Sequence, residues 1–301
     1  MQNSQPLTHK RVFRVRHYEC DAYGHLNNAN YLRYMQETAM DASAAAGYDM
    51  ARYAEIGNHW LIRETEIEYL KPLRYNEQVE VRTWVSDFQR VRSRRSYEFY
   101  LAGTGELVAR AETDWVYLNS STGSPALIPP EMIASFYPQG LPDSFPPRHP
   151  FPSAPPPPAG IFTMTRRVIW SDLDPAQHLN NAMYLVYIEE CGMQVIAAHG
   201  WPVSRMAAGG FAILLRRHQI QYLRPAFMGD ELIISTWASG VKRSTATRHY
   251  TIERAQDGAR IANIHTLGVW VDLSTGKPIR IPPEFLADFI PNIVQQGELL
   301  A

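Results

Sequence analysis

Two eleven-residue stretches hold the side chains best suited to chemistry. Asp21-Ala-Tyr-Gly-His25-Leu-Asn27-Asn28-Ala-Asn-Tyr31 returns as Asp174-Pro-Ala-Gln-His178-Leu-Asn180-Asn181-Ala-Met-Tyr184, with seven of eleven positions identical at an offset of 153. Each places a carboxylate, an imidazole four residues on and two carboxamides just ahead of a helical pattern. The unpaired N–H groups and dipole of a helix N-terminus favour negative charge developing beside them. A structural role is open for the same residues: an aspartate here can form an Asx-turn or a cap, and a histidine can order the loop by bonding the backbone. The thiols are poorer candidates for a nucleophile. Cys20 and Cys191 are not equivalent, because Cys191 maps onto Thr38.

The offset runs through the chain without a gap. Tyr69-Leu-Lys-Pro72 becomes Tyr222-Leu-Arg-Pro225, Trp84 becomes Trp237, and Ile128-Pro-Pro-Glu131 becomes Ile281-Pro-Pro-Glu284. Two copies of one domain are therefore expected, over residues 8–137 and 161–294, and 301 residues are enough for both. Between them, Pro138–Pro158 has ten prolines in 21 residues. Such a stretch makes an extended, semi-rigid spacer of about 3.1 Å per residue, so 138–160 reads as a linker.

Within each copy the pattern is a strand, a loop, one long helix and several more strands, which is an α+β class. In the first copy the expected strands are Arg11–Tyr18, Trp60–Leu70, Glu77–Phe88, Arg94–Leu101 and Leu107–Leu118. The expected helix is Asn28–Ala46, with Asn28 as its N-cap, Gly47 just past its end, and Tyr31, Leu32, Met35 and Ala39 facing the core. Trp60, Trp84, Phe88, Phe211 and Trp237 are candidates to line a tunnel, with plain core as the alternative.

The net charge of -1 excludes a general attraction to nucleic acid. No uncharged run is long enough to insert in a membrane. The polar start, Met1–Lys10, lacks the apolar stretch of a secretory signal, so a cytoplasmic location is expected. Two cysteines with no metal-type spacing point to no metal and no disulfide framework. No cofactor is implied.

On the paired loops and the repeat, the chain resembles the 4-hydroxybenzoyl-CoA thioesterase branch of the hotdog superfamily. Trp170-Ser-Asp-Leu-Asp174-Pro-Ala-Gln-His178-Leu-Asn-Asn181 also looks like the acyl-ACP thioesterases of plants and bacteria, which are double hotdogs. The resemblance implies two antiparallel sheets, each wrapping a long helix, side by side as a pseudo-dimer, with a further homo-oligomer open. It implies hydrolysis of acyl-CoA or acyl-ACP to free acid and thiol, with acyl-CoA or acyl carrier protein as the partner. Asp21 and Asp174 would act as general base or nucleophile, and the backbone N–H near Asn28 and Asn181 would form the oxyanion hole. By the same resemblance His25 and His178 would orient the aspartate or relay a proton, and Glu37 and Glu190 would complete the network.

Departures from the family limit the transfer. Plant acyl-ACP enzymes carry an Asn two residues after the Asp, where this chain has Tyr23 and Ala176, so Asn27 and Asn180 become substitutes. Arg90, Arg92 and Arg94 would share one strand face, with Arg95 beside them and Lys242, Arg243 and Arg248 in the second copy, a stripe suited to phosphates or an acidic carrier. Arg216-Arg217-His218 is a weaker basic group. Two other readings stay open: a non-catalytic acyl-CoA or acyl-carrier binding protein, and a hotdog hydratase or dehydratase. Hydratases carry Gly-Asp-x-Asn-Pro-x-His, with Asp and His five apart rather than four.

Overall fold

The structure is a computed structural model that describes residues 5–294, and the chain divides into two compact units, one ending at Pro150 and the other starting at Phe151. The first unit holds β1 (His9–Arg14), α1 (Asn28–Ala45), α2 (Met50–Ile56), β2 (Asn58–Tyr69), β3 (Gln78–Phe88), β4 (Arg92–Leu101), β5 (Glu106–Asn119) and α3 (Pro130–Phe136). The second holds β6 (Phe162–Arg167), α4 (Met183–Ala198), α5 (Val203–Ala208), β7 (Phe211–Tyr222), β8 (Glu231–Ser239), β9 (Thr245–Arg254), β10 (Arg260–Asp272) and α6 (Pro283–Phe289). The 153-residue offset maps β1, β2, β4 and α3 onto β6, β7, β9 and α6 end to end.

The pairing repeats as well. The first unit's strands are ordered β1-β3-β4-β5-β2 and the second's β6-β8-β9-β10-β7, every neighbouring pair antiparallel. The α+β class is as expected. The other strand ends and the end of α1 shift by no more than two residues, and three boundaries near the loops differ in ways that bear on the site. The first strand ends at Arg14, and Tyr18 lies on a 3-10 turn, His17–Glu19, with 77% of its surface exposed. The N-cap is Asn27, whose side chain accepts from the Ala29 N–H, so Asn28 is already helical. In the second unit the helix begins at Met183, past Asn181.

The short helices α2, α3, α5 and α6 lack a long apolar periodicity and were not expected. Local chemistry makes them: Asp49 caps α2 by accepting from the Arg52 N–H, and Gly57 ends it in the left-handed region. Prolines pre-set the first turn of α3 and α6.

Helix α1 buries Tyr31, Leu32, Met35 and Ala39, the expected stripe, together with Tyr34, Thr38 and Ala42. Tyr31 meets Tyr69 of β2 edge to face at 5.0 Å, and Tyr34 stacks on Phe13 of β1 at 4.2 Å. Tyr184 of α4 meets Tyr222 of β7 at 5.1 Å in the same way. Burial of each such ring stabilises by roughly 1.5–3 kcal/mol, which welds the helix, and the loop before it, to its sheet.

The proline-rich stretch has no strand or helix and is fixed at both ends. Arg148 reaches Asp87 of β3 at 2.5 Å and Asp114 of β5 at 2.7 Å. Beyond Phe151 the carbonyls of Pro152 and Pro155 accept from His265 Nε2 and Trp237 Nε1, at 2.9 and 3.1 Å. Among the described residues no helix is long and apolar enough to cross a membrane.

Candidate active site

Each loop is built around its aspartate. Asp21 Oδ1 accepts from the N–H groups of Tyr23 and His25 at 2.9 and 3.0 Å, and the Asp21 N–H donates to the His25 carbonyl at 2.7 Å. In the second unit Asp174 Oδ1 accepts from the Ala176 N–H at 2.9 Å, and the Asp174 N–H donates to the His178 carbonyl at 3.1 Å. These are Asx-turns. In both, one carboxylate oxygen is engaged and Oδ2 accepts no hydrogen bond from the described residues. The turn role and a chemical role are thus compatible: one oxygen fixes the group and the other is left available.

The tight curl needs a positive φ at the fourth position. Gly24 supplies it at +74°, and Gln177 adopts +62° at the matching place. Each loop then bonds outward, Leu26 N–H to the Leu73 carbonyl and Leu179 N–H to the Ala226 carbonyl.

At the helix entrance almost every backbone donor is committed. Asn27 N–H donates to the Glu19 carbonyl, Ala29 N–H to Asn27 Oδ1 and Asn30 N–H to the Asn27 carbonyl. The Asn28 N–H between them has no partner among the described residues. The second loop repeats this: Asn180, Ala182 and Met183 N–H groups donate, while the Asn181 N–H does not. Asn27 and Asn180 thereby spend their side-chain oxygens on the turn.

The histidines differ between the units. His178 Nδ1 stands 3.7 Å from Asp174 Oδ1 and 3.4 Å from the Leu179 carbonyl. His25 makes no such pair with Asp21 among the described residues, and its ring is held neutral, since burial lowers its pKa and outweighs Asp21 while Arg74 adds to the lowering.

Glu37 and Glu190 are not brought to the loops. Both are exposed; Glu37 pairs with Arg11 of β1 at 3.3 Å, and Glu190 accepts from Gln194 one turn on. Their helical positions turn them outward, away from the buried stripe.

Of the expected arginine stripe, Arg92 and Arg94 share a face of β4 and Arg90 lies outside the strand. Arg90 and Arg243 are exposed in the hairpins before β4 and β9. Arg92 is neutralised by Asp114 of β5, and Arg94 by Glu112 at 3.6 Å. Arg95 points the other way and is buried. Cys191 is buried, which pushes its thiol up to about 12, so it stays protonated. Phe88, Phe211 and Trp237 are core side chains.

A buried carboxylate behind each loop went unnoticed in the sequence. Glu19, 6% exposed, accepts from the Arg16 N–H and the Tyr34 hydroxyl at 2.8 and 2.6 Å; Asp172, 3% exposed, accepts from Ile169 N–H and the Tyr187 hydroxyl at 3.1 and 2.5 Å. The signal was present, since both carboxylates and both tyrosines obey the 153 offset. They tie the loop to the helix it feeds.

Residues 15–136 and 168–289 match the family model described as the Thioesterase-like superfamily. Over 194 residues the chain is 27% identical to a chloroplastic acyl-[acyl-carrier-protein] hydrolase of Cuphea viscosissima, covering 61% of this chain and 47% of that protein. It is 29% identical over 115 residues to a long-chain acyl-CoA thioesterase of Escherichia coli strain K12, covering 37% and 84%. The chain spans about half the length of the plant relatives it matches.

Two solved structures share the fold across nearly the whole chain. A putative oleoyl thioesterase from Lactobacillus plantarum superposes with a TM-score of 0.77 at 19% identity, covering 89% of this chain and 98% of that one. A 12:0-ACP thioesterase from Umbellularia californica gives 0.67 at 18%, covering 87% and 93%. The expected tandem hotdog agrees with these matches.

Proposed function

The chain belongs to the Thioesterase-like superfamily, and on that premise we propose that it hydrolyses acyl thioesters of coenzyme A or acyl carrier protein to free acid and thiol. One observation carries the reading. Each loop presents a carboxylate with an unclaimed Oδ2 together with a helix-entrance N–H, at Asn28 or Asn181, that has no partner among the described residues. Acyl transfer needs that combination of a base or nucleophile and a donor where the oxyanion forms.

In this mechanism Asp21 or Asp174 takes a proton from water as the water oxygen bonds to the thioester carbon. The carbonyl oxygen, now negative, accepts from the Asn28 or Asn181 N–H. The C–S bond then breaks and the sulfur leaves with the proton returned by the carboxylic acid or relayed by His25 or His178. Direct attack by the carboxylate, through an anhydride that water opens, uses the same groups. Each unit is read as a hotdog domain, the fold that the family resemblance implies. Names of the relatives support both carriers.

The test is a panel of acyl-CoA and acyl-ACP thioesters with a free-thiol reagent. Thiol release that falls in Asp21 and Asp174 variants supports the proposal. Tight binding without release assigns the chain to the non-catalytic binders instead.

A further inference from the structure

The inward-facing positions of β4 are Ser93, Arg95, Tyr97 and Phe99, all buried. A guanidinium therefore stands where alternation calls for an apolar side chain. Arg95 is 7% exposed; it pairs with Val85 of β3 on one side and Thr113 of β5 on the other, and Thr65 of β2 follows in the same row. The Phe136 ring of α3 lies 5.5 Å from its guanidinium carbon. Among the described residues the Arg95 guanidinium has neither an ion pair nor a hydrogen bond. Burial with no carboxylate beside it lowers its pKa, and only the hydroxyls of Tyr97 and Tyr53 oppose this.

The other unit shows that the position can be satisfied from within. Arg248, 153 residues on, lies 5.6 Å from the Phe289 ring but donates to Asn292 Oδ1 at 3.0 Å and to Thr236 Oγ1 at 3.4 Å. An arginine thus occupies the matching position in both units, buried in the first and half-buried in the second, with protein acceptors for its guanidinium in the second unit only. An uncompensated buried charge destabilises a fold by several kcal/mol, so an acceptor brought by a ligand offsets a cost already present. A planar guanidinium fork matches a carboxylate in two-point contact. Around it are the hydroxyls of Thr113 and Tyr97 and the apolar cluster of Val85, Phe88, Met132 and Phe136.

We propose that Arg95 anchors a carboxylate-binding subsite on the inner face of the first unit, which takes the ionised end of an aliphatic acid. Its physiological source rests on the thioesterase reading: the carboxylate belongs either to the released acid or to a distal carboxyl group on the acyl chain. The binding itself does not depend on that reading.

Calorimetry with octanoate and octan-1-ol tests it on the unaltered protein. Octanoate is expected to bind and octan-1-ol to bind about tenfold more weakly or worse, the loss of a charge-assisted contact. Arg95→Met should weaken octanoate by a similar factor, leave octan-1-ol unchanged and melt, without ligand, at or above the wild-type temperature. Arg95→Lys should restore part of the octanoate binding. Equal binding of octanoate and octan-1-ol overturns the proposal, as does octanoate binding unchanged in Arg95→Met. An Arg95→Met chain that fails to fold also overturns it, because the unliganded fold would then need the charge. Thiol release from suberoyl-CoA against octanoyl-CoA separates the sources: preference for suberoyl-CoA assigns the distal carboxyl, and no preference with octanoate inhibition assigns the released acid. Octanoate binding with no thiol release from any substrate would leave this subsite standing and sink the thioesterase reading.

Discussion

The Tyr34 hydroxyl donates to Glu19 at 2.6 Å, and 153 residues later Tyr187 donates to Asp172 at 2.5 Å. A buried carboxylate at the start of the loop is thereby held by the helix at its end. Tyr34→Phe or Tyr187→Phe removes one donor and leaves a buried acceptor short, which costs about 1–3 kcal/mol. Chemical denaturation should show that loss in each variant, and turnover should fall with it because the loop loses its brace. A variant that melts like the wild type would remove the brace from the account.

Asp21→Asn and Asp174→Asn divide the two roles of the aspartates. An asparagine keeps an Oδ1 that can accept from the loop N–H groups, so the turn survives. It cannot accept a proton at neutral pH or attack a thioester. Each Asn variant should keep its melting temperature, and the double variant should lose turnover by about a hundredfold or more. Full turnover in the double variant would rule out carboxylate chemistry. Asp21→Ala should lose turnover and loop stability together.

Acid should weaken the second unit. His249 is buried beside His265 and Arg248, which lowers its pKa to about 4, and burial lowers His265 as well. In the unfolded chain both titrate near about 6.5, so as pH falls the unfolded state takes up protons first. Their stabilisation is complete above that value and drains away as pH drops toward about 4. Melting temperature followed from about pH 7.5 to about pH 4.5 should decline, and His249→Gln should flatten the decline.

Gly24 and Gln177 hold the same positive φ, +74° and +62°, in matching loops. A Cβ on Gly24 would meet nothing within 4 Å, so Gly24→Ala costs backbone strain alone. That is about 1–2 kcal/mol. Gln177→Gly should relieve strain and leave stability equal or higher. Thermal melts of the pair decide the matter: Gly24→Ala is expected to lose stability and Gln177→Gly to lose none.

The repeat made most of the fold legible, because a gapless offset transfers every strand assignment from one half to the other. The loop was legible because its seven shared residues sit together. Beyond the short helices and the buried Glu19 and Asp172, three features of the site were not. Asn27 caps α1 in place of Asn28 because the backbone turns one residue early, which spacing does not reveal. The charges of Arg92 and Arg94 are compensated by Asp114 and Glu112, which are distant in sequence and meet them only after β4 and β5 find their register. Glu37 and Glu190 belong to an outward helix face that a motif nine residues upstream cannot orient.

The gapless offset has a practical meaning. Where the halves differ at a matched position, each shows one side chain that the same place in the strand order can hold. Exchanging Arg95 with Arg248 surroundings, Ser96 with His249 or Gly24 with Gln177 is therefore a transplant between matched hosts, and each half serves as the other's internal control.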